Sequence, residues 1–455
     1  MSKSKRKKHK PELSPEAAMR MAAERPRALR HRLKKMHASE LVRLLLHTKF
    51  DEDRLVLLRL VPEAMRGNVL LELPEGMQGD LLATLSPSDI GAVVGHLVSD
   101  DAADILQVVD REVADQVIAA LEPEERREIE PLLEHSEESA GGLMQTELFK
   151  VRANWTVARV MEVLRRWGRD IENLNYIYVV NDEDILVGAV PLYELFFCEP
   201  EQSIAEVSNR EFPHAIAGQD QEEVADIFKH YDILALPVVD ENQRLVGRIT
   251  ADDILDVMQD EATEDMYRLA ALSDQDDLAE PVGITAWRRG IWLAVNLGTA
   301  ILASLVIAQF EATLSQIVAL AVLMPIVASM GGIAGTQTLT VIVRGIALGR
   351  VTFATARHAL IKEVTVSLVT GISFAVIVGS VASLWFPALG LPLGAVIAVA
   401  MMINLMAAGL SGALIPITLQ RLHIDPALAS GTILTTVTDI VGFFAFLGLS
   451  TIFLL

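Results

Sequence analysis

The sequence is poor in cysteine and in the short motifs that mark common enzymes. Its one cysteine, Cys198, excludes an intrachain disulfide and a cysteine-based zinc site. Walker A, Gly-x-Ser-x-Gly and His-Glu-x-x-His motifs are absent, which argues against an enzyme. The first 36 residues lack the apolar core of roughly 7–15 residues that a secretory signal needs. We therefore expect the chain to begin in the cytoplasm.

Charge is divided unevenly among three blocks of the 455-residue chain. Residues 1–36 carry 13 Lys/Arg and 3 Asp/Glu, residues 37–285 carry 19 and 53, and residues 286–455 carry 7 and 4. The first block predicts a basic, disordered tail over 1–36, with contact to anionic lipid or nucleic acid as the alternative. The acidic block repels phosphate, so we expect no nucleic-acid binding by the folded body. Such a block favours cations as ligands.

Five long uncharged stretches predict five transmembrane helices. At 1.5 Å per residue, 20 apolar residues cross a hydrocarbon core of roughly 30 Å. The stretches are 291–310, 316–343, 364–386, 393–420 and 428–455. Arg and Lys lie before the first stretch and in alternate loops, so the positive-inside rule places residues 1–285 in the cytoplasm and Leu455 outside. This predicts a multi-pass protein of the cell (inner) membrane.

Two further domains are predicted before the membrane. Short amphipathic helices separated by turns predict an acidic, α-helical superhelical N-domain over 37–137. Residues 176–195 align with 235–254 at a constant offset of 59, and each copy indicates a strand, a turn, a strand and a helix. This duplication resembles a tandem pair of α/β CBS domains, which we assign to 138–256. A connecting helix over 257–285 then leads to an all-α transmembrane domain over 286–455.

The CBS resemblance implies an adenine nucleotide such as ATP in the cleft between the copies. In that family a Ser or Thr and an Asp three residues later hold the ribose. The second copy offers Thr250 and Asp253, whereas the first copy has Pro191 and Glu194 and departs from the pattern. Nucleotide binding is therefore expected at the second copy.

The predicted spans contain small-residue stripes and one central carboxylate. Gly331 and Gly335 share a helix face in the second span, and Asn404 begins a stripe in the fourth, which fits either helix packing or a pore lining. Asp439 lies near the middle of the fifth span, with Thr435 one turn before it. A lipid-facing Asp there costs at least about 2.5–3.5 kcal/mol, so Asp439 indicates an ion path. It is the one ionisable residue found deep in a predicted span, which argues against a proton- or sodium-coupled carrier.

Three motifs resemble the MgtE family of magnesium channels. They are Met330-Gly331-Gly332-x-Ala334-Gly335-x-Gln337, Asp425-Pro426-Ala427-x-Ala429-Ser430-Gly431 and Thr435-Thr436-x-Thr438-Asp439-x-x-Gly442-Phe443. The resemblance implies a homodimer in membrane lipid with its pore at the dimer interface and Asp439 recognising hydrated Mg²⁺. Thr435 and Thr438 can add hydroxyl oxygens to that site. It also implies that cytosolic Mg²⁺ closes the pore, with the connecting helix as a plug. Ile333 departs from the pattern, because the family usually has Asn there.

Rows of carboxylates in the acidic block suit Mg²⁺, which proteins usually hold with one or two carboxylates and retained waters. The candidate regulatory ligands are Asp100, Asp104, Asp220, Glu222, Asp232, Asp253, Asp256, Glu261, Glu264 and Asp265. The sequence thus predicts a Mg²⁺-selective channel for magnesium uptake that cytosolic Mg²⁺ closes. Two alternatives stay open. One is a CBS membrane regulator that senses nucleotide and Mg²⁺ without conducting, and the other is a channel for another divalent ion such as Co²⁺ or Mn²⁺.

Overall fold

The computed structural model of the chain describes residues 13–455 except 170, 172, 271, 273–281, 353 and 423. The chain divides into two units, one ending at Asp260 and one starting at Glu261. The first unit holds a helical N-domain and two small sheets, and the second holds long apolar helices. This is the multidomain fold class that the sequence predicts.

The N-domain is a succession of short helices separated by turns, as the sequence predicts. Pro74 and Ser86 stand at the N-caps of two of them, and the Ser86 hydroxyl accepts a hydrogen bond from the Asp89 N–H at 3.2 Å. The helices are α1 (Pro15–Glu24), α2 (Pro26–Leu33), α3 (Ala38–Leu46), α4 (Asp51–Leu60), α5 (Glu63–Leu71), α6 (Glu75–Ala83), α7 (Pro87–Val94), α8 (Ser99–Val108), α9 (Arg111–Ala120) and α10 (Pro123–Ile129). Helices two apart in sequence pack together, such as α3 with α5, α5 with α7 and α7 with α9. This alternation is the predicted superhelix.

The basic N-terminal block differs from its prediction. Helices α1 and α2 lie within the predicted disordered tail over 1–36, and Ala18, Leu29 and Leu33 are 0% exposed in the N-domain core. The prediction is wrong for 15–33, because Leu29 and Leu33 are four residues apart and give α2 an apolar face despite its charge. Residues 1–12 lie outside the described residues.

The two CBS copies repeat one topology. After a 3₁₀ turn at Leu132–Glu134, the elements are β1 (Lys150–Arg152), α11 (Val157–Trp167), β2 (Tyr176–Val180), β3 (Leu186–Pro191), a 3₁₀ turn at Leu192–Phe196, α12 (Ile204–Val207), β4 (Ala215–Ile216), α13 (Gln221–Tyr231), β5 (Ala235–Val239) and β6 (Leu245–Thr250). The sheets are ordered β1-β2-β3 and β4-β5-β6, each with one parallel and one antiparallel pair. Val179 pairs with Gly188 and Val238 with Gly247, and each register shifts at the next residue. The offset of 59 therefore holds down to the strand register.

The connecting segment starts as part of the CBS pair. Helix α14 (Ala251–Leu269) follows β6 directly and crosses both the predicted boundary at 256/257 and the division between the two units. The predicted helix over 257–285 is thus helical to Leu269, and most of the rest of that range lies outside the described residues.

The second unit contains the five predicted spans. They are α15 (Val282–Ala308), α17 (Ala319–Ala347), α18 (Ala356–Trp385), α19 (Gly390–Arg421) and α20 (Pro426–Phe453), with the short α16 (Glu311–Gln316) after the first. Their number and order confirm the prediction. Helix α18 starts eight residues earlier than the predicted span at 364, because a helix can carry Arg357 and Lys362 in its first turns. Helix α19 packs against α17, α18 and α20.

The burial of α2 leads to a test of the correction above. We expect Leu29→Ala to destabilise the N-domain by about 2–5 kcal/mol, because it removes a fully buried side chain. Arg30→Ala, at the exposed neighbouring position, should change stability by about 0.5 kcal/mol or less. Thermal unfolding and limited proteolysis of the full chain measure both. Equal behaviour of the two variants would mean that α2 does not belong to the N-domain core.

Candidate functional site

The central carboxylate of the fifth span lies on an accessible face of α20. Asp439 is partly exposed, and Thr435, four residues earlier on the same face, is exposed. Thr438 is 0% exposed, and its hydroxyl donates to the Thr435 carbonyl oxygen at 3.0 Å. The structure therefore places Asp439 and Thr435 on the accessible face of α20 and Thr438 inside. The Thr435 hydroxyl also donates within its own helix, to the Gly431 carbonyl oxygen at 3.1 Å.

The predicted small-residue stripes face the interior of the protomer. Asn404 is 0% exposed and occupies the space that a side chain on Gly331 would need. A Cβ on Gly335 would lie 2.8 Å from Leu434 Cδ1, and a Cβ on Gly412 would lie 2.8 Å from the Gly335 carbonyl oxygen. These contacts are helix packing within one protomer, the first of the two alternatives that the sequence left open.

A second carboxylate is buried in a spanning helix, and sequence reasoning missed it. Glu363 on α18 is 7% exposed, and its Oε2 accepts a hydrogen bond from the Thr338 hydroxyl at 3.3 Å. Glu363 lies one residue before the predicted span at 364–386, in the second turn of the helix that continues into it. Every fourth residue after Glu363 is small, from Ser367 to Gly379, and each of these is buried. That spacing was the available signal, because it assigns Glu363 to an interior stripe.

In the first unit, Asp100 is a buried carboxylate that is held by an amide rather than by a cation. It lies on α8 and is 6% exposed. Its Oδ2 accepts from Gln145 Nε2 at 3.0 Å, and its Oδ1 accepts from the Asp101 N–H at 2.9 Å. Gln145 Oε1 in turn accepts from Arg248 Nη2 at 3.0 Å. The nearest positive charge along this chain of bonds is thus one amide away from the carboxylate.

The carboxylates of α8 and of the start of α14 repel one another. The pKa of Asp100 is raised to about 7, first by burial and then by Asp253 and Asp101. Burial and neighbouring carboxylates also raise the pKa values of Asp101 and Asp104 to about 7, although water moderates the effect of burial at the exposed Asp104. Burial raises the pKa of Asp253. The Thr250 hydroxyl, which donates a hydrogen bond to Asp253 at 2.5 Å, acts in the opposite direction and lowers it. This cluster joins the N-domain to the second CBS copy.

The three predicted ligands around α13 do not form one group. Asp220 is its N-cap and accepts from the Glu222 N–H at 2.9 Å, whereas Asp232 is its left-handed C-cap with φ 49°. An 11-residue helix separates its ends by about 16 Å. The structure therefore brings Asp220 and Glu222 together and leaves Asp232 apart.

The remaining predicted ligands lie along α14. Asp256 is exposed, while Glu261, Glu264 and Asp265 are partly buried. Burial raises the pKa of Asp265, as do the nearby carboxylates Asp425 and Glu261. Arg268, one turn after Glu264, forms ion pairs with Glu264 and with Asp425, the N-cap residue of α20. The ion pair with Asp425 therefore connects the end of α14 to the start of α20, the helix that carries Asp439.

Within the described ranges, no three His, Cys, Asp or Glu residues are arranged to hold a metal ion as a group. The carboxylates occur instead as pairs and rows whose members repel one another. Such an arrangement suits a hydrated cation bound through one or two carboxylates, or a cation shared between two copies of the chain.

Family models match four stretches of the chain. Residues 324–449 match the family model described as MgtE, a divalent cation transporter, and residues 36–138 match the MgtE intracellular N domain. Residues 140–201 and 204–260 each match the CBS domain. The order of these matches is the order of domains in the fold.

Two relatives and one solved structure are similar over long stretches. The chain is 36% identical over 434 residues to the magnesium transporter MgtE of Thermus thermophilus, covering 94% of this chain and 95% of that protein. It is 33% identical to the magnesium transporter MgtE of Bacillus subtilis over 78% of each chain. A crystal structure of the cytosolic domain of the Mg²⁺ channel MgtE in complex with ATP is 38% identical, with a TM-score of 0.50, and covers 53% of this chain and 98% of that one.

The Asp100 cluster predicts how stability depends on pH without divalent cations. A carboxylate with a raised pKa binds its proton more tightly in the folded protein, so its contribution is full below about pH 4 and is lost as pH rises through about 7. We expect the full chain in EDTA to unfold at lower temperature at pH 8 than at pH 5. Asp100→Asn should flatten this dependence, whereas Asp115→Asn, at an exposed position of α9, should retain it. An unchanged pH profile in Asp100→Asn would contradict this account.

Proposed function

Because the chain belongs to the MgtE family of divalent cation transporters, we propose that it is a Mg²⁺-selective channel for magnesium uptake, working as a homodimer in the cell membrane. The observation that carries the proposal is Asp439 on the accessible face of a spanning helix, with Thr435 one turn away. An intramembrane carboxylate is costly unless it meets water, a partner or an ion. We further propose that residues 1–285 are cytoplasmic and Leu455 external.

The proposed selectivity depends on the charge and position of Asp439. In a two-fold dimer, each residue on the shared face occurs twice around one axis. Two Asp439 carboxylates can accept hydrogen bonds from the water shell of a hydrated Mg²⁺, and the Thr435 hydroxyls add further oxygens. Mg²⁺ gives up its water reluctantly, so recognition of the hydrated ion avoids the cost of dehydration.

We propose that cytosolic Mg²⁺ closes the channel through the acidic clusters. Asp100, Asp104 and Asp253 bring N-domain and CBS carboxylates together, and the pKa values of Asp100 and Asp104 are raised first by burial and then by carboxylates that include Asp253. A divalent cation would relieve this repulsion and hold the two domains together. Further candidate ligands are Asp220 with Glu222, and Asp256, Glu261, Glu264 and Asp265 along α14. The ion pair between Arg268 of α14 and Asp425 at the start of α20 is the contact through which Mg²⁺ binding would change the position of α20.

We also propose that the second CBS copy binds an adenine nucleotide. Thr250 is 1% exposed, and its hydroxyl bonds to Asp253, so a ribose would have to replace that bond. The related cytosolic domain solved with ATP supports the proposal. Because Asp253 belongs to both sets of ligands, nucleotide and Mg²⁺ binding should be coupled.

One observation favours keeping a second candidate ion. Ile333, which stands where the family usually has Asn, is 54% exposed on α17 and brings an apolar surface where an amide would offer hydrogen bonds. A channel for Co²⁺ or Mn²⁺ is therefore the alternative to compare, together with a regulator that conducts nothing.

The channel proposal predicts the effect of substituting Asp439. We expect Asp439→Ala to abolish Mg²⁺ flux into liposomes and Asp439→Asn to lower it at least tenfold, because Asn retains an acceptor but loses the charge. Glu311→Gln, in an exposed carboxylate of α16, should conduct like the wild type. Flux of Mg²⁺, Co²⁺ and Mn²⁺ is measured in parallel, and a wild type that prefers Co²⁺ or Mn²⁺ would favour the second candidate. Wild-type flux in Asp439→Ala would contradict the proposed site, and a wild type without any flux would favour the regulator.

The gating proposal predicts the effect of removing carboxylates from α14. We expect the triple variant Asp253→Asn, Asp256→Asn, Glu261→Gln to stay open at internal Mg²⁺ concentrations, on the order of millimolar, that close the wild type. The control variant Asp182→Asn, Glu199→Gln, Glu201→Gln removes equal charge from exposed positions of the first CBS copy and should close normally.

Two further measurements complete this experiment. One is the protection from proteolysis that Mg²⁺ gives, and the other is ATP binding by calorimetry. Protection should be lost in the α14 variant, and ATP should release heat with the wild type and lose affinity in Asp253→Asn. Unchanged protection in the α14 variant would count against gating at these residues. Absence of ATP heat at both low and high Mg²⁺ would remove the nucleotide proposal alone.

A further inference from the structure

We propose that Asn404, in the middle of α19, is a positioning residue that sets where Asp439 stands in the pore. It does so by fixing the register of α19 against α17 and α20. The inference rests on the proposed function in one respect, namely that Asp439 is the residue that meets the ion.

Asn404 joins three helices at one point. Its Nδ2 donates a hydrogen bond to the Val327 carbonyl oxygen of α17 at 2.8 Å. The side chain lies in a notch between two glycines, Gly331 on α17 and Gly442 on α20, and a Cβ on Gly442 would lie 2.7 Å from Nδ2. Larger residues at these two positions would exclude the amide. The notch is therefore shaped for the side chain that fills it.

The energetics argue that stability alone does not account for this asparagine. Its side chain is 0% exposed, and its Oδ1 has no hydrogen-bond partner among the described residues. A hydrogen bond between spanning helices stabilises only modestly, and a buried carbonyl without a partner costs about as much or more. Asn404 instead specifies how the helices are aligned, because its hydrogen bond can form at only one register of α19 against α17. A single buried Asn has this effect in coiled coils, where it selects the register at a cost in stability.

The contact reaches Asp439 through the stiffness of α20. Gly442 follows Asp439 by three residues, which is about 4.5 Å along the helix axis. On the other side of Asp439, Leu434 packs against Gly335 of α17. Asp439 is thus bracketed by two inward contacts of the same helix. A shift or rotation of α20 at Gly442 must move the Asp439 carboxylate as well.

Two variants test the inference, and a third is their matched control. Asn404→Ala removes the amide, and Gly442→Ala pushes a methyl group into it. We expect each to raise the half-saturating Mg²⁺ concentration for flux about tenfold, equivalent to about 1.4 kcal/mol, with the thermal unfolding midpoint close to that of the wild type. Gly379→Ala introduces comparable crowding between α18 and α19, where its Cβ would lie 2.8 Å from the Gly394 carbonyl oxygen. It should leave the half-saturating concentration unchanged.

The double variant separates positioning from general loosening. In Asn404→Ala the amide with which the methyl group of Gly442→Ala would clash is absent. The effects of the two substitutions on the half-saturating Mg²⁺ concentration should therefore be clearly less than additive. Gly379→Ala shares no contact with Asn404 and should add independently.

A readout without transport separates this inference from the channel proposal. In a Cys198→Ser background, Thr435→Cys reports the position of the accessible face of α20 by its rate of maleimide labelling. We expect Asn404→Ala and Gly442→Ala to change that rate several-fold and Gly379→Ala not to change it. If the wild type carried no flux, the channel proposal would fail while labelling still decided the inference. Wild-type labelling in Asn404→Ala, or equal effects of all three variants, would overturn it.

Discussion

The cost of keeping a carboxylate away from water is the constraint on which both units depend. In the first unit Asp100 is 6% exposed and in the second Glu363 is 7% exposed, and each is held by a neutral donor rather than by a direct ion pair within the described residues. Neutral donors only partly offset the lost hydration of a charge. At Asp100 this burial raises the pKa of the carboxyl to about 7, which favours a proton or a cation there. Asp439, by contrast, is partly exposed on α20.

The second unit is densely packed, and its helices and side chains approach one another closely where one of them has a glycine. Helix α19 contacts three other spans, and glycines at these contacts admit Asn404 and Ser367 at short range. Gly335 of α17 admits Leu434 of α20 in the same way. With little hydrophobic driving force between helices in lipid, close backbone approach and a few directional bonds must hold the bundle. The scaffold around Asp439 therefore has little room for even one added methyl group at these glycines.

The first unit uses a duplicated sheet to bring together residues that come from different domains. The two CBS copies share strand order and register. Gln145 and Arg248 bond to each other through both backbone and side chains, and Gln145 extends that link to Asp100 of the N-domain. The acidic cluster thus sits where the N-domain, the CBS pair and the start of α14 meet. Helix α14, of 19 residues, begins in this cluster.

Local and periodic features were readable from the sequence alone. The five spans follow from runs of apolar residues, the CBS pair follows from a constant offset of 59, and Asp439 stands out because charge is rare around it. Tertiary structure decided which faces are inside. Asn404 and Gly331 meet inside one protomer, Asp220 and Asp232 are separated by a whole helix, and α1 and α2 join a core despite their charge. Periodicity indicates that a helix has an apolar or polar face, but the partner of that face is a contact between residues distant in sequence, and only the folded chain brings those residues together.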